Sequence, residues 1–296
     1  MTASDGLLPA GLDVVLVLLR HGETEYIAEG RFQGHAETPL TALGREQARL
    51  AGVRLAEPSR PPALPVPAGP PLEIVHSPLR RAAETAAIVA EAIGSARAGS
   101  GGGDTPERRP TETPTGPQPR PRLVAEPGFT EIGQGAWEGL SMAEIERRYG
   151  PILAGWRRRP TEVWAPGGEP LTAVAERVRA GLAALFGRLP SSGRVDPAER
   201  AGVAGYADAE APAERPWVVV VGHDGCFKVL LCLLFGLPLE RFWSFRMALC
   251  GLSVVELSAG RPVLLAFNRT EHLAALEGAE GRAEAESDAR ARRGAL

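Results

Sequence analysis

Two hydrophobic patterns alternate along the chain. Short, nearly unbroken aliphatic runs stand at Val14–Leu19, Leu72–Val75 and Trp217–Val221. Runs of this kind predict parallel strands covered on both faces. Between them, apolar residues recur every three or four positions, the spacing of one helical face. One such stripe is Leu79, Ala82, Ala86, Val89 and Ile93; another is Leu171, Val174, Val178, Leu182 and Leu185. A third helix is predicted after Thr41, as its N-cap, with Leu43, Leu50 and Val53 turned inward. Start signals agree with the stripes. Ser77-Pro78 reads as an N-cap followed by proline at the first helical position, and Ser141-Met142-Ala143-Glu144 as a capping box. Leu252–Leu257 and Pro262–Phe267 predict a closing hairpin around Ser258-Ala259-Gly260-Arg261. Strand and helix in alternation, closed by extra strands, predict an α/β fold: a three-layer α/β/α sandwich with a mainly parallel central sheet.

Polar, Pro- and Gly-rich stretches interrupt the pattern near 57–71, 95–122 and 191–216, and the 277–296 tail is rich in Ala, Glu and Arg. Such compositions bury too little to offset their ordering entropy, so they predict mobile loops and a flexible or loosely helical tail. What remains predicts a single domain over 12–275.

Composition narrows the function. The formal net charge is −3 over 296 residues, so no global basic field points to nucleic acid or an anionic membrane. The N-terminal apolar run ends at Arg20-His21, which predicts neither a signal peptide nor a membrane span. Three cysteines, Cys226, Cys232 and Cys250, form no Cys-x-x-Cys and fit a reducing cytoplasm as small buried residues.

In a parallel sheet the strand C-termini converge on one edge, where ligands bind. Three of those ends carry Arg20-His21, Ser77 with the arginines just beyond it, and Gly222-His223. Two histidines and two arginines without a carboxylate cage predict an anion pocket and no metal site. Guanidinium forks match phosphate oxygens, and a helix N-terminus adds N–H donors. A histidine among such cations stays neutral and nucleophilic. A nearby carboxylic acid can then protonate a leaving alkoxide.

These residues stand in ordered motifs: "LLRHGET" (18–24), "RFQGHAETPLTALGREQA" (31–48), "HSPLRRAAETA" (76–86), "FTEIGQGAWEGLSMAEI" (129–145), "PGGEPL" (166–171) and "VVVVGHDGCFKVLL" (218–231). The set resembles the histidine phosphatase superfamily, the phosphatase branch of the phosphoglycerate mutase-like proteins. The resemblance implies a phosphoglycerate mutase-like fold and a metal-independent, cofactor-free phosphatase that hydrolyses a small phosphate monoester through a phosphohistidine. It implies catalytic roles for His21 as nucleophile, Glu131 as proton donor, His223, Arg20 and Arg81, with Arg81 chosen over Arg80 by the motif spacing. It also implies substrate or phosphate contacts from Arg20, Gly22, Gln33, Gly34, Arg81, His223 and Asp224. Two departures stand out: Ile27 where many members carry asparagine, with Gln33 as a compensating donor, and Asp224 where glycine is frequent.

Other residues read as structural. Glu23 organises the loop, Trp137 packs beneath it, and His35, His76 and His272 are framework residues. Trp156, Arg157–Arg159 and Trp164 precede Pro166-Gly167-Gly168, where the resemblance places substrate-covering elements. The expected partner is a small phosphorylated metabolite: a sugar phosphate, a phosphoglycerate derivative, ribazole phosphate or a nucleotide. The sequence leaves the oligomeric state open, a homodimer being one option. Two alternatives stay open: mutase-type phosphoryl transfer, and a catalytically idle member that binds phospho-ligands.

Overall fold

The computed structural model of the chain describes residues 6–9, 11–99, 120–190 and 215–276. Its strands form one sheet: β1 (Asp13–Arg20), β2 (Glu73–His76), β3 (Arg122–Ala125), β4 (Trp217–Gly222), β5 (Leu252–Ser258) and β6 (Arg261–Arg269), in the order β3-β2-β4-β1-β5-β6. The first four run parallel, while β5 and β6 close the sheet antiparallel beside β1. The β5–β6 turn uses Ala259 and Gly260, both at positive φ, the geometry that two-residue hairpins require.

The aliphatic runs form strands because both their faces are covered. Val14, Leu16, Leu18, Val218 and Val220 face one side, against α4 (Met142–Arg158), α5 (Leu171–Arg188) and α6 (Asp224–Leu234). Val15, Val17, Leu19, Ile74, Val219 and Val221 face the other, against α2 (Ala42–Ala56) and α3 (Arg80–Gly99). A single helical turn, α1 (Glu25–Ala28), follows β1. This is the three-layer α/β/α sandwich that the pattern predicts.

Several local expectations hold. Thr41 Oγ1 accepts from Gly44 N–H at 3.0 Å, and Ser141 with Glu144 makes both halves of the capping box. All residues of the two long stripes are buried.

Others are corrected. The buried face of α2 is Gly44, Ala48, Ala51, Gly52 and Leu55, whereas Leu43, Leu50 and Val53 are only half-buried. Small residues win because α2 lies close against α3: a Cβ on Gly52 would collide with Ala92. The third helix begins at Arg80, two residues after Pro78, with Leu79 O taking the first bonds from Ala82 and Ala83 N–H. Strand β3, on the exposed sheet edge, has no expectation behind it, since Arg122-Leu123-Val124-Ala125 lacks a buried run.

The proline-rich stretch at 57–71 is not a free loop. Leu64 and Val66 are buried against the α2–α3 side of the sheet, and Arg54 donates to the carbonyls of Glu57, Pro58 and Pro62. The stretch expected from 95 to 122 begins as helix, since α3 runs to Gly99, and ends in β3. In the stretch expected from 191 to 216, Arg215 is buried and pairs with Asp13 at 2.9 Å and with Glu256. The rest of these two stretches, 100–119 and 191–214, and the 277–296 tail lie outside the described residues.

The strand ends are flush. Arg20 lies opposite Gly222, and His76 opposite Val221. That register delivers Arg20-His21, Ser77 and His223 to one edge of the sheet, where the α3 and α6 chains also begin.

Candidate active site

His21 continues the ladder out of β1, its N–H donating to Gly222 O at 2.9 Å. Its Nδ1 lies 2.7 Å from Gly22 O, and a carbonyl only accepts, so Nδ1 carries the proton. On the far side of the ring, Arg81 Nε donates to His21 Nε2 at 3.3 Å. Both contacts specify one tautomer, with a lone pair on Nε2. Burial, then the Arg81 and Arg20 charges, hold the His21 pKa well below 6.5. The imidazole is therefore neutral at ordinary pH.

Arg81 lies in the first turn of α3 and is 1% exposed. Its fork is fixed by Gly34 O and Ala36 O, each at 2.9 Å. Burial lowers its pKa to about 10, against the raising effect of the Glu131 and Glu37 carboxylates; it remains a cation at neutral pH. Arg80, beside it, is exposed. Arg20 donates from Nη1 to Met247 O at 2.7 Å, while its buried Nε has no hydrogen-bond partner among the described residues.

His223 packs beside His21 with ring centroids 5.2 Å apart. Its Nε2 lies 2.8 Å from Ser77 Oγ, which also accepts from Leu79 N–H. With the Ser77 hydroxyl proton pointed at Nε2, the one proton of the neutral ring stands on Nδ1. That Nδ1 is buried and unpartnered. Burial and the neighbouring Arg81, His21 and Arg20 keep this ring neutral as well.

Glu131 caps the start of α6. Its Oε1 accepts from Cys226 N–H and Ile132 N–H, both at 2.9 Å, and its Oε2 from Gly225 N–H at 3.2 Å. The backbone beneath it hangs on Arg177 of α5, which donates to the carbonyls of Gly128, Thr130 and Glu131 and to both oxygens of Glu169. Against its burial, the Arg177 fork holds the Glu169 carboxyl below its ordinary range.

The structure thus brings Arg20, His21, Arg81, Glu131 and His223 to one edge of the sheet. The remaining expected contacts divide. Gln33 is buried, its Oε1 accepting from the Thr24 and Thr38 hydroxyls at 2.7 and 2.6 Å, which leaves its NH₂ as the donor end. Gly22 is closely packed: its N–H donates to Thr85 Oγ1 at 3.2 Å, and a Cβ there would strike the Gly44 backbone of α2. Gly34 also has a structural task. Its φ of +50° and its carbonyl serve to hold Arg81. The Asp224 side chain is turned to Lys228, Oδ2 to Nζ at 2.7 Å.

Glu23 accepts from Thr41 Oγ1 at 2.7 Å and organises the loop, and Trp137 is buried edge-on to Phe32. His35, His76 and His272 each bond a backbone carbonyl. The three cysteines are free and buried. Pattern reading assigns no site role to the Ser77 hydroxyl, Thr85 or Arg177. It gives none to Glu138 either, whose Oε1 ties His35 N–H to Gln134 N–H. Thr85 lies beside the core stripe of α3, and Arg177 stands at a polar position of α5. Among the described residues, no group of three or more His, Cys, Asp or Glu could hold a metal, and no helix is long and apolar enough to cross a membrane.

A family model described as histidine phosphatase superfamily (branch 1) matches residues 16–98, 109–195 and 196–270. The chain is 27% identical over 264 residues to phosphoserine phosphatase 1 of Hydrogenobacter thermophilus, covering 88% of this chain and 94% of that one. It is 30% identical over 228 residues to glucosyl-3-phosphoglycerate phosphatase of Mycobacterium tuberculosis, covering 77% and 78%. The solved native structure of a mycobacterial glucosyl-3-phosphoglycerate phosphatase aligns with a TM-score of 0.60 at 27% identity, over 86% of this chain and 98% of that one.

Proposed function

We propose that this chain, which belongs to the histidine phosphatase superfamily (branch 1), hydrolyses a small phosphate monoester through a phosphohistidine, without a metal ion. One observation carries the reading. The His21 Nε2 lone pair meets only the long bond from Arg81 Nε at 3.3 Å, and beside it two buried nitrogens, Arg20 Nε and His223 Nδ1, have no hydrogen-bond partner among the described residues. A phosphoryl group satisfies both donors and presents phosphorus to the lone pair.

The steps follow from those positions. Arg20, Arg81 and His223 hold the non-bridging oxygens, and charge stabilisation supplies most of the acceleration. His21 Nε2 attacks phosphorus in line, forming P–N as the ester P–O bond breaks. The departing alkoxide takes the proton of the Glu131 carboxylic acid. Three backbone N–H groups already aimed at that carboxyl receive the resulting carboxylate. Glu131 then accepts a proton from water. The new P–O bond forms, P–N breaks, and inorganic phosphate leaves with His21 restored.

The class of substrate is a phosphorylated small metabolite, in line with the phosphatase names of the relatives. His21→Ala should lose at least 1,000-fold in turnover of p-nitrophenyl phosphate, on the order of what removing an activated nucleophile costs, with an unchanged circular dichroism spectrum. Undiminished turnover overturns the reading. With 3-phosphoglycerate and its bisphosphate, release of free phosphate supports a phosphatase, and an isomerised phosphoglycerate replaces it with a mutase.

A further inference from the structure

Asp224 is unlike the groups around it. It follows His223 directly and opens α6, on the helix end where Gly225 and Cys226 N–H hold Glu131. Its residue is 9% exposed. One oxygen, Oδ2, takes the Lys228 ammonium at 2.7 Å; the other, Oδ1, is buried with no hydrogen-bond partner among the described residues. Lys228 donates this hydrogen bond from its ammonium. It is buried, and its ammonium lies 5.3 and 5.2 Å from the ring centroids of Phe242 and Trp243. Removing two charges from water for one ion pair and two ring contacts is a poor source of stability. An unpartnered carboxylate oxygen is a further penalty. A ligand that bonds Oδ1 accounts for both.

The sign of the charge says which half of the substrate that ligand atom belongs to. The phosphoryl half meets arginine and imidazole donors, and a carboxylate there is repulsive. Asp224 therefore serves the alcohol half, on the same helix end as the Glu131 carboxyl that protonates the leaving oxygen. The chain from Trp243 to Met247, whose carbonyl holds Arg20, links the aromatic wall over Lys228 to the pocket.

We infer that Asp224, clamped by Lys228, recognises the alcohol half of the substrate, and that this alcohol bears a hydrogen-bond donor, a hydroxyl or an ammonium, close to the ester oxygen. The inference rests on the phosphatase reading above. It makes Asp224 a specificity residue and Lys228 the positioning residue that fixes its rotamer.

The test uses three esters of one size: ethyl phosphate, 2-hydroxyethyl phosphate and 2-aminoethyl phosphate. The full chain should show kcat/KM at least about 10-fold higher for one or both donor-bearing esters than for ethyl phosphate. Preference for the hydroxyl or for the ammonium tells the two donors apart. Asp224→Ala should bring the ratio near one. If the lone buried Lys228 prevents that variant from folding, Asp224→Ala combined with Lys228→Met removes both charges and should give the same flat ratio. Equal rates on all three esters in the unmodified chain, or a preference that survives loss of Asp224, overturn the inference while the phosphatase reading stands. No turnover of these esters or of p-nitrophenyl phosphate by the unmodified chain ends both.

Discussion

Arg177→Met isolates the support beneath the proposed proton donor. The guanidinium makes five hydrogen bonds: one each to Gly128 O, Thr130 O and Glu131 O at 3.1, 2.6 and 3.0 Å, and two to Glu169 at 2.7 and 2.8 Å. Methionine fills much of the stem and removes all five. Summing charged hydrogen bonds at about 1.5–3 kcal/mol each overshoots, because the desolvation of Arg177 is also relieved. Breaking a buried pair costs roughly 3–5 kcal/mol. Both partners here keep about a fifth of their side-chain surface in water, 22% and 21%, which screens the pair and brings the expectation to about 2–4 kcal/mol. Urea denaturation reads this as a lower midpoint with an unchanged slope. The Glu131 backbone is also released, and a misplacement of about 1 Å at a reacting group costs on the order of 100-fold. That loss should fall on an alkyl ester, whose alkoxide needs the proton, and much less on p-nitrophenyl phosphate. Equal losses on the two esters would refute the positioning role of Arg177, and an unmoved urea midpoint would refute the energetic estimate.

Ser77→Ala removes the 2.8 Å contact that orients His223 Nε2 and should lower kcat about 10-fold or more through a misdirected ring; steady-state kinetics with Ser77→Thr as the rescuing variant checks it. His21, His223 and His272 all have depressed pKa values, His272 down to about 4, first through burial. The unfolded chain then binds protons that the folded chain refuses, so stability is full above about pH 6.5 and falls as the pH drops through that value toward the folded ones. His272→Gln should abolish about 3 kcal/mol of that acid loss by pH 4, and an identical pH–stability curve for the variant would contradict it.

Residues that advertise themselves by position were legible in the chain. His21 and His223 close aliphatic runs, and an arginine pair follows Ser77-Pro78, so strand ends locate them before any coordinates do, while the choice of Arg81 over Arg80 comes from the family motif. The long stripes of α3 and α5 were legible because large apolar side chains fill them. What escaped was set by partners distant in sequence. The inward face of α2 is made of glycine and alanine, whose value appears only when α3 lies against it. Leu64 and Val66 sit in a proline-rich stretch whose composition argues for solvent, yet the open flank of the sheet takes them. Strand β3 is an edge strand that borrows its register from β2. Arg177 occupies a polar position of a helix, where a solvated charge is the ordinary reading. The three carbonyls that it gathers come from a loop more than 40 residues earlier. Asp224 is the reverse case: its departure from glycine was visible, and only its unpartnered oxygen gave that departure a direction.

Covalent capture of the phosphoryl group tests the central claim most directly. The enzyme, mixed with a radiolabelled ester and quenched within milliseconds, should carry label that is acid-labile and alkali-stable, mapping to His21 and absent from His21→Ala. Label on serine, cysteine or aspartate would contradict the account, as would turnover of the ester with no label on the protein at any quench time.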